Sequence, residues 1–322
     1  MIRKKAFKLP DRGKAGKIFH VFSLLTLALT GELCYNKEAK EQQVMSKFLT
    51  DIHNHSTYSF DGVSPLSEML ETAREKGVAF YGVSEHFDFD EGKADGGTNA
   101  EEYFHGARHL QEDYAGVMNV LVGAEIGFSP LPEFVERNRA LIEKYQPDFV
   151  VNSIHACGGE DYYKQKPFYQ TTCEGVEILR PKKETYREYL SLVRRSVDAP
   201  YAYDIIGHLG YPTRYAPYAD KTLSLAEFKE EIDDILSAII QKNKILEVNA
   251  SNRLAKTFSP CASEEIVRRY FALGGRQVSY ASDAHVTTSV LRRRDEAMQL
   301  LQAIGFTHIT VPCRGEYIKV EI

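Results

Sequence analysis

The sequence predicts a single α/β domain folded as a closed or nearly closed barrel. Three observations carry that prediction. Short apolar or β-branched runs alternate with amphipathic helical stretches at least seven times, as βα units of a mainly parallel sheet do. No linker rich in Pro, Gly or Ser and no repeat of fixed period interrupts the chain after Met45. Seven or eight such units over roughly 275 residues suit a barrel better than an open, doubly wound sheet.

The elements follow in order. "FLTDIH" is strand-like, and "SPLSEMLETAREKG" continues as a helix with Ser64 as its cap, Pro65 in the first turn and Gly77 as its stop. "AFYGVSEH" precedes a helix over 100–115, and "NVLVGAEIGF" precedes the helical "LPEFVERNRALIEKY". "DFVVNSIH" leads through a polar loop to a helix over 184–197. "YDIIGHLG" is followed by a helix over 225–243, "KILEVNAS" by one over 263–273, and "RQVSYASDAH" by one over 290–303. "HITVPC" near the end reads as a further strand or an edge piece. The acidic, Gly-rich "DFDEGKADGGTNAEEY" reads as a solvated loop or a flexible lid over a site.

Composition narrows the function classes. With 322 residues, 43% of them hydrophobic and 26% charged, the chain can bury a large core. A formal net charge of −5 leaves no basic field for nucleic acid or an anionic membrane, so neither is expected as a partner. Cys34, Cys157, Cys173, Cys261 and Cys313 stand singly, without a CxxC pair, against both a disulfide framework and a thiolate zinc site. A reducing, cytoplasmic setting follows. The N-terminus starts basic and carries an apolar patch from Ile18 to Leu29. That patch is shorter than the roughly 20 residues that span a bilayer, and it lacks a clean cleavage site. Residues 1–44 are therefore expected to be a dispensable appendage, and residues 45–322 the functional domain.

A barrel builds its active site at the carboxyl ends of its strands. There the first strand carries His53 and His55, the second His86, the third Glu125, the fourth His155, the fifth His208, and the seventh Asp283 and His285. Alternation along an extended chain sends His53 and His55 to one side, and likewise Asp283 and His285. A histidine taken singly is more often a hydrogen-bonded core or surface residue than a ligand. Six of the chain's ten histidines at strand ends, with acids completing the set, point instead to a metal site. Imidazole and carboxylate together suit zinc, iron or manganese. His20, His105, His109 and His308 lie elsewhere and are expected to play no part.

The ordered series "DIHNHSTYSFDG", "GVSEHFDF", "GAEIGF", "SIHACGG", "DIIGHLGYPTRY", "EVNASN" and "SDAH" resembles the polymerase-and-histidinol-phosphatase family, and within it the histidinol-phosphatase branch. The resemblance implies a distorted TIM-like (βα)7 barrel holding two or three divalent metal ions. It implies one ion on His53, His55, Glu125 and Asp283, a second sharing Glu125 with His155 and His208, and a third on His86, His285 and Asp61. Asp61 also reads as the first residue of an Asp-Gly turn. Arg214 in "YPTRY" and Arg253 in "NASNRL" resemble the family's phosphate-side positions, with Arg180 as a further candidate; each also reads as a solvated loop charge. Gly210 and Asn252 depart from the branch pattern at the edge of the substrate pocket, which puts the leaving alcohol in question.

The implied activity is that of a metal-dependent phosphomonoesterase with a small phosphorylated substrate, L-histidinol phosphate first. Another phosphoesterase of the family, acting on a nucleoside monophosphate or phosphotyrosine, is the alternative. A metal-dependent amidohydrolase would need a lysine where His155 stands, and a catalytically idle scaffold would not keep a full ligand set. Cys157, two residues after His155, lacks a base and reads as packing rather than as a nucleophile.

Overall fold

The computed structural model describes residues 44–45, 48–90, 96–252 and 257–322. Seven parallel strands form its central sheet: β1 (Leu49–Asp51), β2 (Val78–Phe87), β3 (Asn119–Gly127), β4 (Val150–Ser153), β5 (Ile205–Ile206), β6 (Ile245–Asn249) and β7 (Val278–Ala281). Their spatial order is their order in the chain, each strand hydrogen-bonded to the next. The helices that return the chain are α1 (Leu66–Glu75), α2 (Ala100–Asp113), α3 (Pro132–Tyr145), α4 (Lys182–Val197), α5 (Leu225–Gln241), α6 (Glu264–Ala272) and α7 (Arg294–Ile304). Strands covered on both faces read as continuous apolar runs, and β2 and β3 are buried along almost their whole length. On α1 the buried residues are Leu66, Met69, Leu70 and Ala73, the i, i+3, i+4, i+7 stripe that lays a helix on a sheet.

The barrel closes at one end only. β7 meets the chain just past β1 through a single parallel bridge, Asn54 to Ala284, with the Asp283 N–H donating to the His53 carbonyl (3.0 Å) and the His55 N–H to the Ala284 carbonyl (2.8 Å). Lower down, a side chain replaces the missing ladder. The buried Asp51 carboxylate accepts the Ser282 N–H on one oxygen and the Leu291 N–H on the other, each at 2.9 Å. Burial lifts its pKa to about 6 against the pull of those bonds. The seam therefore draws the first and last strands together where their ligand residues stand, and β5, only two residues long, adds to the distortion.

Two details depart from the sequence reading, and a third settles an alternative that it left open. Ser64 does not cap α1; the cap position is Pro65, and the Ser64 hydroxyl accepts the Thr287 N–H instead (3.3 Å), because the N–H groups of Val63 and Ser64 tie that segment to the His285 carbonyl. The polar loop after β4 is structured, with one hairpin pairing Ala156–Cys157 to Glu160–Asp161 and another pairing Tyr169–Thr171 to Glu177–Leu179. "HITVPC" is β8 (His308–Cys313), antiparallel to β9 (Glu316–Glu321), and Val44–Met45 runs parallel to β9 in the same small sheet. It is not an eighth barrel strand. Val44 thus pairs with Lys319, one residue before the expected start of the domain, and residues 1–43 lie outside the described residues. No described helix is long and apolar enough to cross a membrane.

Candidate metal centre

The seven strands bring one carboxylate to the middle of their rim. Glu125 sits near the end of β3, opposite His86 of β2 in the ladder, and is fully buried. Its Oε2 lies 2.8 Å from His86 Nδ1, 3.2 Å from His53 Nε2 and 3.5 Å from His55 Nε2. Its Oε1 lies 2.9 Å from His208 Nε2 and 3.2 Å from His155 Nε2. Asp283 closes the first group, its Oδ1 3.4 Å from His55 Nε2. It does so from a left-handed backbone (φ +52°), a conformation that aspartate tolerates better than most residues. Asp61 spans the outer pair, 3.6 Å from His86 Nε2 and 3.1 Å from His285 Nε2. All nine ligand candidates named by the sequence are thus in one cluster, although 232 positions separate His53 from His285.

Their charges depend on one another. Burial would raise Glu125, but His53, His155 and His86 outweigh it and hold the carboxyl well below its usual range. Burial would lower His155, yet Asp88 and Glu125 lift it to about 10. Burial, helped by His86 and His285, holds His55 at about 3. The cluster thus balances its buried carboxylates with protons on some imidazoles. A divalent cation does the same work more directly.

The donor set fits such an ion. His86 Nδ1 and Glu125 Oε2 are 2.8 Å apart, both buried, and yet neither is in a hydrogen bond. His53 and His55 face each other Nε2 to Nε2 at 3.1 Å, as do His155 and His208 at 3.2 Å. Two imidazole nitrogens turned to one point need either a proton between them or a shared cation. Three sets of ligand atoms lie close enough to hold one: His53, His55 and Asp283; His86, Glu125 and His155; and His55, His86 and His285.

A family model described as the PHP domain matches residues 51–251. The chain belongs to the PHP domain family. Among its PHP relatives, a probable histidinol-phosphatase of Clostridium acetobutylicum is 29% identical over 241 residues, covering 74% of this chain and 88% of that protein. The histidinol-phosphatase of Lactococcus lactis is 28% identical over 260 residues, covering 80% and 91%. A crystal structure of histidinol phosphate phosphatase from Lactococcus lactis, complexed with zinc, L-histidinol and phosphate, superposes with a TM-score of 0.72 at 26% identity, covering 85% of this chain and 99% of that one. The fold here is the TIM-like PHP barrel, in one domain.

Around the candidate ligands of this PHP domain stand acids to which the sequence reading gave no role. Glu247 Oε1 lies 2.6 Å from His53 Nδ1, and its Oε2 accepts the His208 N–H at 2.7 Å. Asp88 Oδ1 lies 2.7 Å from His155 Nδ1. Each turns its imidazole so that Nε2 faces Glu125, and each raises that nitrogen's basicity. Glu247 had a signal in the sequence: an acid inside the apolar "KILEVNAS", in a strand covered on both faces, needs a buried partner. Replacing it, as Glu247→Gln, is expected to weaken metal affinity about 10–100-fold. Metal titration followed by activity checks this, and wild-type affinity would remove Glu247 from the centre.

The cavity at the rim, about 600 Å³, is lined by the candidate ligands Asp61, His86, His155, Asp283 and His285 and also by Arg214, Asp161, Tyr163, Tyr211 and Tyr215. Arg214 reaches it from the turn Tyr211–Arg214, donating to Asn249 Oδ1 (2.7 Å) and Asp283 Oδ2 (3.4 Å) over the Tyr211 ring (5.3 Å). Its buried Nε has no hydrogen-bond partner. Arg180 is held by Glu188 and the Pro167 carbonyl and does not line this cavity. Arg253 lies outside the described residues. Burial, with the Glu188 charge, pushes the Cys157 thiol up to about 12, which suits packing and not nucleophilic attack.

Proposed function

We propose that this protein is a metal-dependent phosphomonoesterase that hydrolyses L-histidinol phosphate to L-histidinol and phosphate. The observation that carries the reading is the ring of imidazoles around Glu125, opening on a cavity that Arg214 also lines, beside Asp283. The Lactococcus lactis protein in complex with zinc, L-histidinol and phosphate supports it. Following the family resemblance, we assign one ion to His53, His55, Glu125 and Asp283, a second to Glu125, His155 and His208, and a third to His86, His285 and Asp61. Zinc, manganese and iron all suit that chemistry.

Such ions, when bound, make water acidic enough to attack at neutral pH and offset phosphoryl charge. The chain supplies the rest. Glu125 and Asp283 set the charge and spacing of the centre, while Glu247 and Asp88 hold the imidazoles in one tautomer. Arg214, fixed by Asn249, beside Asp283 and stacked on Tyr211, lines the cavity and brings its guanidinium charge to the phosphoryl group. Residues 45–322 carry this activity in the cytoplasm, and removal of 1–44 leaves it intact.

The test is phosphate release by manganese-loaded protein from L-histidinol phosphate, AMP, a phosphotyrosine peptide and an aryl phosphate. A preference for histidinol phosphate of roughly a hundredfold in kcat/KM, about 2.7 kcal/mol of differential transition-state binding, is expected. Equal, slow rates on all four would leave a phosphoesterase whose substrate lies elsewhere.

A further inference from the structure

Resting on the phosphatase reading above, we infer that Asp161, walled by Tyr163, Tyr211 and Tyr215, binds a positively charged group on the leaving alcohol and so selects ammonium- or imidazolium-bearing phosphate esters over neutral ones.

Placement comes first. The hairpin carrying Asp161 grows directly out of the strand end that bears His155. Its turn is Gly158–Gly159, both glycines at positive φ (+60° and +77°), a backbone that a side chain would disfavour. Ala156 pairs with Asp161 across the hairpin, and the Tyr162 N–H donates to the His155 carbonyl at 3.0 Å. Asp161 is therefore locked beside His155, a candidate ligand of the metal centre, at the cavity. It also lines a smaller cavity of about 160 Å³, with Asp88, Phe128 and Leu131, that opens next to the larger one and gives room for a side group.

Charge comes second. The other acids of the cavity are engaged: Asp61 by His86 and His285, Asp88 by His155, and Asp283 by His55 and Arg214. Asp161 accepts the Tyr163 N–H on Oδ1 at 2.7 Å, and among the described residues no basic side chain pairs with it. A carboxylate in a partly enclosed pocket, without a cation of its own, is a place for one from outside.

The walls suit the same guest. The Tyr163 and Tyr215 rings meet edge to face at 5.4 Å, Tyr215 and Tyr211 at 5.2 Å, and Gln165 donates to the Tyr215 carbonyl at 3.0 Å, clasping the hairpin side to the turn side. Aromatic faces attract a cation that the carboxylate neutralises. The phosphate end of a substrate at Arg214 and the ions would leave its alcohol end facing this pocket.

Asp161→Asn tests the inference cleanly, because the amide oxygen still accepts the Tyr163 N–H and only the charge is lost. The kcat/KM on L-histidinol phosphate is expected to fall about 10–100-fold, the worth of a charge-assisted hydrogen bond, while that on phenyl phosphate changes less than about threefold. Inhibition of phenyl phosphate hydrolysis by L-histidinol should weaken in parallel, and inhibition by inorganic phosphate should not. An equal fall on both esters would overturn the inference and make Asp161 structural. If the wild type does not prefer L-histidinol phosphate, the proposed substrate fails on its own, and the pair 2-aminoethyl phosphate and ethyl phosphate decides about Asp161. A preference for the ammonium ester that Asp161→Asn removes upholds the inference; no preference overturns it.

Discussion

Glu125→Ala is expected to reduce phosphate release by about a thousandfold or more, since the ions it helps to hold supply several kcal/mol of transition-state stabilisation and 1.36 kcal/mol is tenfold in rate. No other side chain in the centre faces five imidazoles: three from Oε2 at 2.8–3.5 Å and two from Oε1 at 2.9 and 3.2 Å. Losing it takes a ligand from two assigned ions at once. It also leaves buried imidazoles without their main counter-charge, and removing one partner of a buried pair costs about 3–5 kcal/mol. Glu125→Gln, which keeps the shape, separates ligand loss from collapse of the site. The measurement is metal content per chain beside turnover. Near-normal turnover with full occupancy would dismiss Glu125 as the bridge.

Stripping the ions is expected to cost stability as well as activity. Ions bind the assembled cluster and not the unfolded chain, so each site filled at a hundred times its Kd adds about 2.7 kcal/mol. Two such sites in a chain of this length correspond to a melting shift of roughly 10 °C. The buried groups explain why the apo form should suffer: without cations, Glu125 and Asp283 rely on protonated imidazoles that burial opposes. Differential scanning calorimetry of chelated and manganese-reloaded protein measures the shift. An unchanged melting temperature would mean that the cluster holds no ion in the folded chain.

The barrel and eight of the nine ligand candidates were legible in the sequence for one reason, while Asp61 rested on the family resemblance. A parallel strand is an uninterrupted apolar run, so a His or Asp at its end marks both the strand's limit and the rim. His53, His86, Glu125 and His208 all declared themselves that way. Glu247 did not, because it lies inside its strand and its role depends on His53, 194 positions away, being turned toward it. Asp88 was hidden among the acids of "DFDEGK", which look like a solvated loop. Ser64 misled because a serine before a proline reads as a cap, whereas contacts with His285 and Thr287 claim that segment. The hairpin bearing Asp161 was invisible as structure: its polar composition is that of a loop, and two glycines and the His155 carbonyl order it.

The most direct test of the central claim is phosphate release from L-histidinol phosphate by chelator-stripped protein titrated back with manganese, counting bound ions per chain. Activity should be absent below one ion per chain and rise to its maximum as the second and third bind, with Glu125→Ala silent throughout. Full turnover by protein holding less than about a tenth of an ion per chain would contradict a metal centre as the source of catalysis.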